Sequence, residues 1–312
     1  MRHLGFRHQA LIYDGPDEYL AGTVPFLRDA VAAEEPALVA VGPAQAELLE
    51  DALGADAASV SFVDMHALGH NPASIIPFWQ DFIDEHGGRR VCGIGEPVWS
   101  ARSPAALEEC RRHECLLNVA FGGAGESGLS LLCPYDAATL PGEALAVAAR
   151  SHPVLARRGE TSRSRAYDPH PDCFSGQLSA PAPEAEQLRF GLAGLAEVRR
   201  RSAAAAAAAG LDPVAVADFV TATSELAANS VLHGGGRGVL RLWCEEGGVH
   251  AEVEDRGRIE DPLAGRRRPR PSQQSGRGLW LANVLCDLVQ IRSGDAGTVV
   301  RLHLAASEHR AA

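Results

Sequence analysis

The chain contains no lysine; all 29 of its basic residues are arginine. A Walker-type phosphate loop needs a lysine for the β- and γ-phosphates, and a eukaryote-type protein kinase needs one on a strand. A pyridoxal-phosphate enzyme needs one for its Schiff base. All three classes are excluded. Cysteine patterning is also missing. Cys92, Cys110, Cys115, Cys133, Cys173, Cys244 and Cys286 are odd in number and include no C-x-x-C pair. They read as reduced thiols of a cytoplasmic protein rather than a disulfide framework. Cys110, His113 and Cys115 lie close together, but on a helical stretch with no second ligand pair at partner spacing, so no metal is expected there. No apolar run reaches membrane-spanning length, no signal peptide is expected, and no membrane association follows. Positive charge is in deficit, with 29 basic against 40 acidic residues and a net charge of −11. That balance disfavours direct, sequence-independent DNA binding, which depends on neutralising phosphates.

What is present suits two domains with proper cores: 312 residues, 46% of them apolar. In the first half, the short apolar runs QALIY, PALVAVG, SVSFVD, RRVCGIG and LSLLCPY alternate with helix-like stretches at 17–33, 44–53, 74–86, 104–120 and 143–151. Strands alternating with helices predict an α/β domain with a mainly parallel sheet covered on both faces. The turn GPAQAELLE after the second strand has neither the glycines nor the Lys-Ser/Thr of a phosphate loop. The expectation is a RecA-like core lacking a P-loop, which does not hydrolyse nucleotide.

Residues 157–187 are rich in Pro, Ser and charge and almost free of aliphatic residues, apart from the aromatic Tyr167 and Phe174, which read as docking on one domain. That composition predicts a linker. Domains are thus expected at 1–156 and 188–312. Leu188, Leu192, Leu195 and Val198 recur at helical spacing and lead into the alanine tract 203–209, so one long helix is expected, ending at Gly210. The strands GVLRLWC, VHAEVED, LVQIRS and TVVRLHL follow, with the helix GLWLANVLCD between the second and third. Helices on one face of a mixed or antiparallel sheet make a two-layer α/β sandwich.

Three segments of this second half carry chemistry: ELAANSVLHG at 225–234, VEDRG at 253–257 and SGRGL at 275–279. Glu225, Asn229 and His233 recur every fourth residue and so share one helix face, in a helix whose start is marked by Asp212 and Pro213. A carboxylate and a carboxamide on one face can orient water and Mg²⁺, which prefers hard oxygen ligands. Asp255 ends an alternating strand, and Gly257 allows backbone to approach a flat ring. Gly276 and Gly278, flanking Arg277, open a helix whose free N–H groups can hold phosphate. Between the second and third segments, RGRIEDPLAGRRRPRPSQQ holds six arginines in a loop-like composition. It reads equally as an ATP lid whose arginines meet phosphates or an acidic partner, and as a solvated basic loop.

In this order and spacing the three segments resemble the GHKL, or Bergerat-fold, ATP-binding domain over roughly residues 185–306. The resemblance is to anti-sigma-factor serine kinases of the RsbW/SpoIIAB type. It implies ATP and Mg²⁺ as cofactors, Asn229 as the Mg²⁺ ligand and Glu225 as the general base. It implies Asp255 and Gly257 as the adenine-reading motif, and Gly276 and Gly278 as the phosphate-side motif with Arg277 and Leu279. Thr298, in the last strand, would be a second adenine contact, and His233 would border the nucleotide. Implied partners are a STAS-type anti-sigma-factor antagonist, phosphorylated on serine, and a sigma factor.

Residues 8–155 resemble a second family, the MEDS (DcmR-type) sensory domain, through HQALIYDGPDEYL, GEPVW, ECLLN, CPYD and HPVL. Together the two halves are similar to RsbA-like regulators. The family implies sensing of a small-molecule ligand or a partner. His8, Tyr13, Glu96, Trp99, Glu114 and Tyr135 are the candidates for a sensory pocket at the strand ends. A homodimer is possible. Two alternatives stay open: a sensor histidine kinase, and a switch that binds ATP and a partner without phosphate transfer. The first needs a phosphoacceptor His on a helix before the ATP domain. His152 and His170 are both followed by proline, and the stretch 184–209 holds no His.

Overall fold

The computed structural model describes residues 5–123, 128–169, 174, 176–245, 247–269 and 276–306. His170, Cys173, Arg270 and Ser275 lie outside the described residues. The chain divides into two compact units, Met1–Pro171 and Asp172–Ala312.

In the first unit, β1 (Arg7–Tyr13), α1 (Gly15–Ala32), β2 (Ala37–Val41), α2 (Pro43–Leu53) and β3 (Val60–Asp64) follow in turn. Then come α3 (Met65–Leu68), α4 (Ile75–Glu85), β4 (Val91–Gly95), α5 (Pro104–Phe121), β5 (Leu129–Asp136) and α6 (Gly142–Ser151). The hairpin β6 (Val154–Arg157) and β7 (Glu160–Arg163) ends the unit. The strands form one sheet in the order β3-β2-β4-β5-β1-β6-β7. Every pairing is parallel except the last. β2 and β4 are buried at all five positions, which is why their sequences are continuous apolar runs rather than alternations.

The segment expected as a linker, 157–187, begins instead with the end of this sheet. Arg158 and Gly159 both take positive φ, 51° and 79°, and form the two-residue turn of the β6–β7 hairpin. All four residues of β7 are exposed, so its polar composition is that of a solvated edge strand.

In the second unit, β8 (Glu186–Gly191), α7 (Leu195–Ala208), α8 (Pro213–His233), β9 (Arg237–Glu245) and β10 (Gly248–Asp255) precede α9 (Arg277–Leu285), β11 (Leu288–Gly294) and β12 (Gly297–Ala305). The strands form an antiparallel sheet in the order β11-β12-β10-β9-β8. Its inward residues, among them Leu240, Leu242, Ala251, Val253, Leu302 and Leu304, pack with Val198, Ala206, Phe219, Ala222 and Leu226 of α7 and α8. The result is the expected two-layer sandwich.

One expectation fails here. Leu188 does not begin a long helix; it sits in β8, opposite Leu240 of β9. Gly191 and Gly194 interrupt the helical pattern, and α7 starts only at Leu195. The pairing of β8 with β9 supplies backbone hydrogen bonds that local propensity cannot foresee. Among the described residues, no helix is long and apolar enough to cross a membrane.

Candidate nucleotide site

The site is built on α8. Asp212 caps this helix as its sequence predicts, accepting from the N–H groups of Val214 and Ala215 at 2.9 and 3.0 Å. The helix runs 21 residues to His233 and brings its last turns against the end of β10. There Asp255 is held firmly. Ser230 Oγ donates to its Oδ2 at 2.6 Å, and the Gly257 N–H donates to its Oδ1 at 2.7 Å. Each carboxylate oxygen keeps a free lone-pair direction, so Asp255 can accept further hydrogen bonds but cannot donate when ionised. Thr298 Oγ1, on β12 directly opposite Asp255, donates to the Gly257 carbonyl at 2.8 Å and shares a 2.7 Å hydrogen bond with Ser293.

Around this anchor lies a cavity of about 650 Å³. Asn229, His233, Asp255, Gly257, Gly276, Leu279 and Thr298 line it. Leu226, Val253, Ile259, Leu263 and Val300 give it an aliphatic stretch of wall. A slot with apolar sides and one fixed acceptor at its end suits a flat heteroaromatic ring that presents an amino group. Arg258, Arg267 and Arg268 of the connecting loop also face the cavity. Arg266 is buried instead. Asn283 pins the loop, donating to the Gly265 carbonyl at 3.0 Å.

The start of α9 closes another side of the cavity. Gly276 is the helix N-cap in the left-handed region, φ 82°, which favours glycine. Gly278, in the first turn, lies so close to α8 that a Cβ there would be 2.8 Å from Glu225 Oε2 and 3.0 Å from Asn229 Nδ2. The carboxylate and carboxamide of α8 are thereby set beside the first turn of α9. Glu225 and Gly278 lie outside the cavity lining, Gly278 buried against α8, and Arg277 is exposed on the first turn.

Sequence reasoning missed Ser230, Gly234, Ser293 and Asn283. A Cβ on Gly234 would stand 2.4 Å from Asp255 Cγ. Gly234→Ala should therefore displace the Asp255 carboxylate and weaken ATP binding about 10- to 100-fold, the worth of one charge-assisted hydrogen bond. Titration of labelled ATP checks this, with circular dichroism confirming that the fold survives.

The six candidates for a sensory pocket do not form one pocket. His8 and Tyr13 are an odd number of residues apart on β1, so their side chains leave opposite faces of the sheet. Tyr13 donates to Glu96 Oε1 at 2.9 Å, just past the end of β4. Trp99 packs on His66 and lies under the Arg102 guanidinium, 3.6 Å from the ring centroid. His8, Glu114 and Tyr135 are buried together with Cys133 and His152 on the other face. Burial and the facing His152 push His8 down to about 4.

Burial pushes the Glu96 carboxyl up to about 8. Its folded pKa exceeds its unfolded one, so the folded state binds the proton more tightly. Stability should fall as pH rises from the ordinary carboxylate range through about 8. Glu96→Gln should flatten that fall, which urea unfolding midpoints at about pH 5 and about pH 9 would show.

Residues 7–153 match the MEthanogen/methylotroph, DcmR Sensory (MEDS) domain family. Residues 189–304 match the histidine kinase-like ATPase domain family. Among solved structures, the chain is similar to the RsbU and RsbW domains of Rv1364c from Mycobacterium tuberculosis. The identity is 26% over 40% of this chain and 33% of that one, with a TM-score of 0.29. None of the curated proteins matches the chain. The chain joins an N-terminal MEDS domain to a C-terminal histidine kinase-like ATPase domain.

Proposed function

We propose that the C-terminal domain is an ATP-dependent protein serine kinase of the anti-sigma-factor type. It would phosphorylate a STAS-type antagonist, hold a sigma factor in its other partnership, and answer to a ligand or partner of the N-terminal domain. The observation that carries the nucleotide reading is the Asp255 anchor at one end of the cavity, with Glu225, Asn229 and the α9 N-terminus at the other. Asp255 accepts a hydrogen bond from the adenine amino group. A guanine would present a carbonyl oxygen there and be rejected. The first N–H groups of α9 meet the phosphates. Asn229 would hold Mg²⁺, which would supply charge neutralisation at the phosphates. Glu225 accepts the proton of the incoming serine hydroxyl. Positioning and charge stabilisation supply most of the catalysis.

The choice of serine and of a STAS partner is supported by the motif resemblance. Two observations weigh against autophosphorylation on histidine. The helix before the ATP site, α7, has no histidine. His152 is fully buried in the first unit, out of reach of a phosphoryl donor. Incubating the full chain with ATP, Mg²⁺ and candidate STAS proteins, then mapping phosphate by mass, tests the proposal. Phosphoserine on one antagonist is the expected result. Saturable ATP binding with no transfer to any candidate would leave a non-enzymatic switch.

A further inference from the structure

We propose that His8, Glu114, Cys133 and His152 form a closed four-coordinate site for a borderline-soft divalent transition metal, with Zn²⁺ the ion that best fits the donors. The site is independent of the nucleotide reading and lies in the other unit.

The four side chains arrive from four places in the fold: β1, α5, β5 and the C-cap residue just after α6. Their donor atoms all lie within 4.8 Å of one another. Glu114 Oε2 is 3.3 Å from His8 Nε2 and 3.2 Å from His152 Nε2. Cys133 Sγ is 3.4 Å from His8 Nε2. Zinc bonds of about 2.0–2.3 Å at tetrahedral angles set donor–donor edges of roughly 3.3–3.8 Å. Charge-assisted N–H···O bonds are shorter, about 2.7–2.9 Å. These three spacings match the edges of a coordination tetrahedron better than an ion pair in contact, and the remaining edges are within 4.8 Å.

The outer hydrogen bonds point the same way. Asn118 Nδ2 donates to the Ser151 carbonyl at 2.6 Å, which turns its Oδ1 toward His8 Nδ1 at 3.1 Å. An amide oxygen only accepts, so His8 Nδ1 carries the proton. His152 Nδ1 lies 2.9 Å from the Ala148 carbonyl oxygen, which only accepts, and 3.0 Å from Ser151 Oγ; the hydrogen bond to the carbonyl places the proton on Nδ1. In the neutral imidazoles both Nε2 lone pairs then face the same carboxylate oxygen. Lone pairs and an anionic oxygen repel unless a metal ion or a proton sits between them, and a metal ion serves all four donors at once. Both Glu114 oxygens and His152 Nε2 lack a hydrogen-bond partner although all are buried. A metal ion satisfies them at once, and second ring nitrogens bound to carbonyl oxygens are the usual support for histidine ligands.

Two imidazoles, a thiolate and a carboxylate make a mixed N, S and O set that suits Zn²⁺ and excludes Mg²⁺ and Ca²⁺. The four ligands are 0–2% exposed. With four protein donors and no solvent face, the site is structural rather than catalytic. It would staple β1 and β5 to α5 and to the end of α6.

The test uses the full chain, stripped with chelator and reloaded. One Zn²⁺ per chain should be retained through dialysis, and stripping should lower the midpoint of thermal unfolding. Co²⁺ in its place should give the visible bands of a tetrahedral ion and a thiolate-to-metal charge-transfer band, and Cys133→Ser should lose the latter. Asn118→Ala leaves all four ligands in place but frees the His8 ring, and should lower Zn²⁺ affinity about 10- to 100-fold. If the wild-type chain retains no Zn²⁺, shows no thiolate–Co²⁺ band and melts alike with and without chelator, the proposal fails. Unchanged affinity in Asn118→Ala would overturn the ligand geometry argued here.

Discussion

Asn229→Ala should abolish saturable Mg-ATP binding. Asn229 is half-buried in the wall of the cavity, one helical turn from Glu225 and beside the first turn of α9. Among the described residues that line the cavity it is the only carboxamide. Mg²⁺ demands near-ideal oxygen geometry, and alanine offers no oxygen on that face. Asp261 also lines the cavity, but on the connecting loop, where its Oδ1 accepts from the Leu263 N–H. Titration of fluorescent or radiolabelled ATP in the presence of Mg²⁺ reads the effect. Equal affinity in the variant and the wild type would remove the assignment of Asn229.

Glu225→Ala should separate binding from chemistry. Glu225 lies against Gly278 and does not line the slot proposed for the base. ATP affinity should therefore change little. Loss of a general base costs about 10² to 10⁴ in rate, and transfer to the antagonist should fall by that factor. Single-turnover transfer, measured beside an ATP titration of the same preparation, checks both halves. Transfer at the wild-type rate would make Glu225 an ordinary solvated helix residue.

The site at the end of α8 was legible because its signals are local. The cap at Asp212, the four-residue recurrence of Glu225, Asn229 and His233, and the alternation that ends at Asp255 each depend on a single element. The order of elements in both units was legible for the same reason: their periodicities differ and turn residues separate them. Failures came where pairing between distant segments decides. Leu188 fits a helical period by spacing alone, but an unfilled edge of β9 takes it as a strand. The β6–β7 hairpin was hidden because an exposed edge strand has the composition of a linker.

The first unit's side-chain cluster shows the limit most clearly. His8 and Glu114 were visible as candidates, yet nothing local joins them to Cys133 and His152. Their meeting depends on β1 lying between β5 and β6, a register set by the whole sheet. Strand parity alone, however, already separates His8 from Tyr13, and a period-two reading of HQALIY would have split the expected pocket. Asn283 and Ser293 support the nucleotide site from a helix and a strand later in the chain, and no motif spacing marks them.

ATP is expected to enter the cavity between α8, the end of β10 and the first turn of α9. Amide hydrogen exchange of the full chain, with and without Mg-ATP, tests it most directly. Nucleotide-dependent protection is expected at residues 255–268 and 276–280 and in the last turn of α8, with residues 7–153 changed little. Protection confined to residues 7–153, or none anywhere at saturating Mg-ATP, would contradict it.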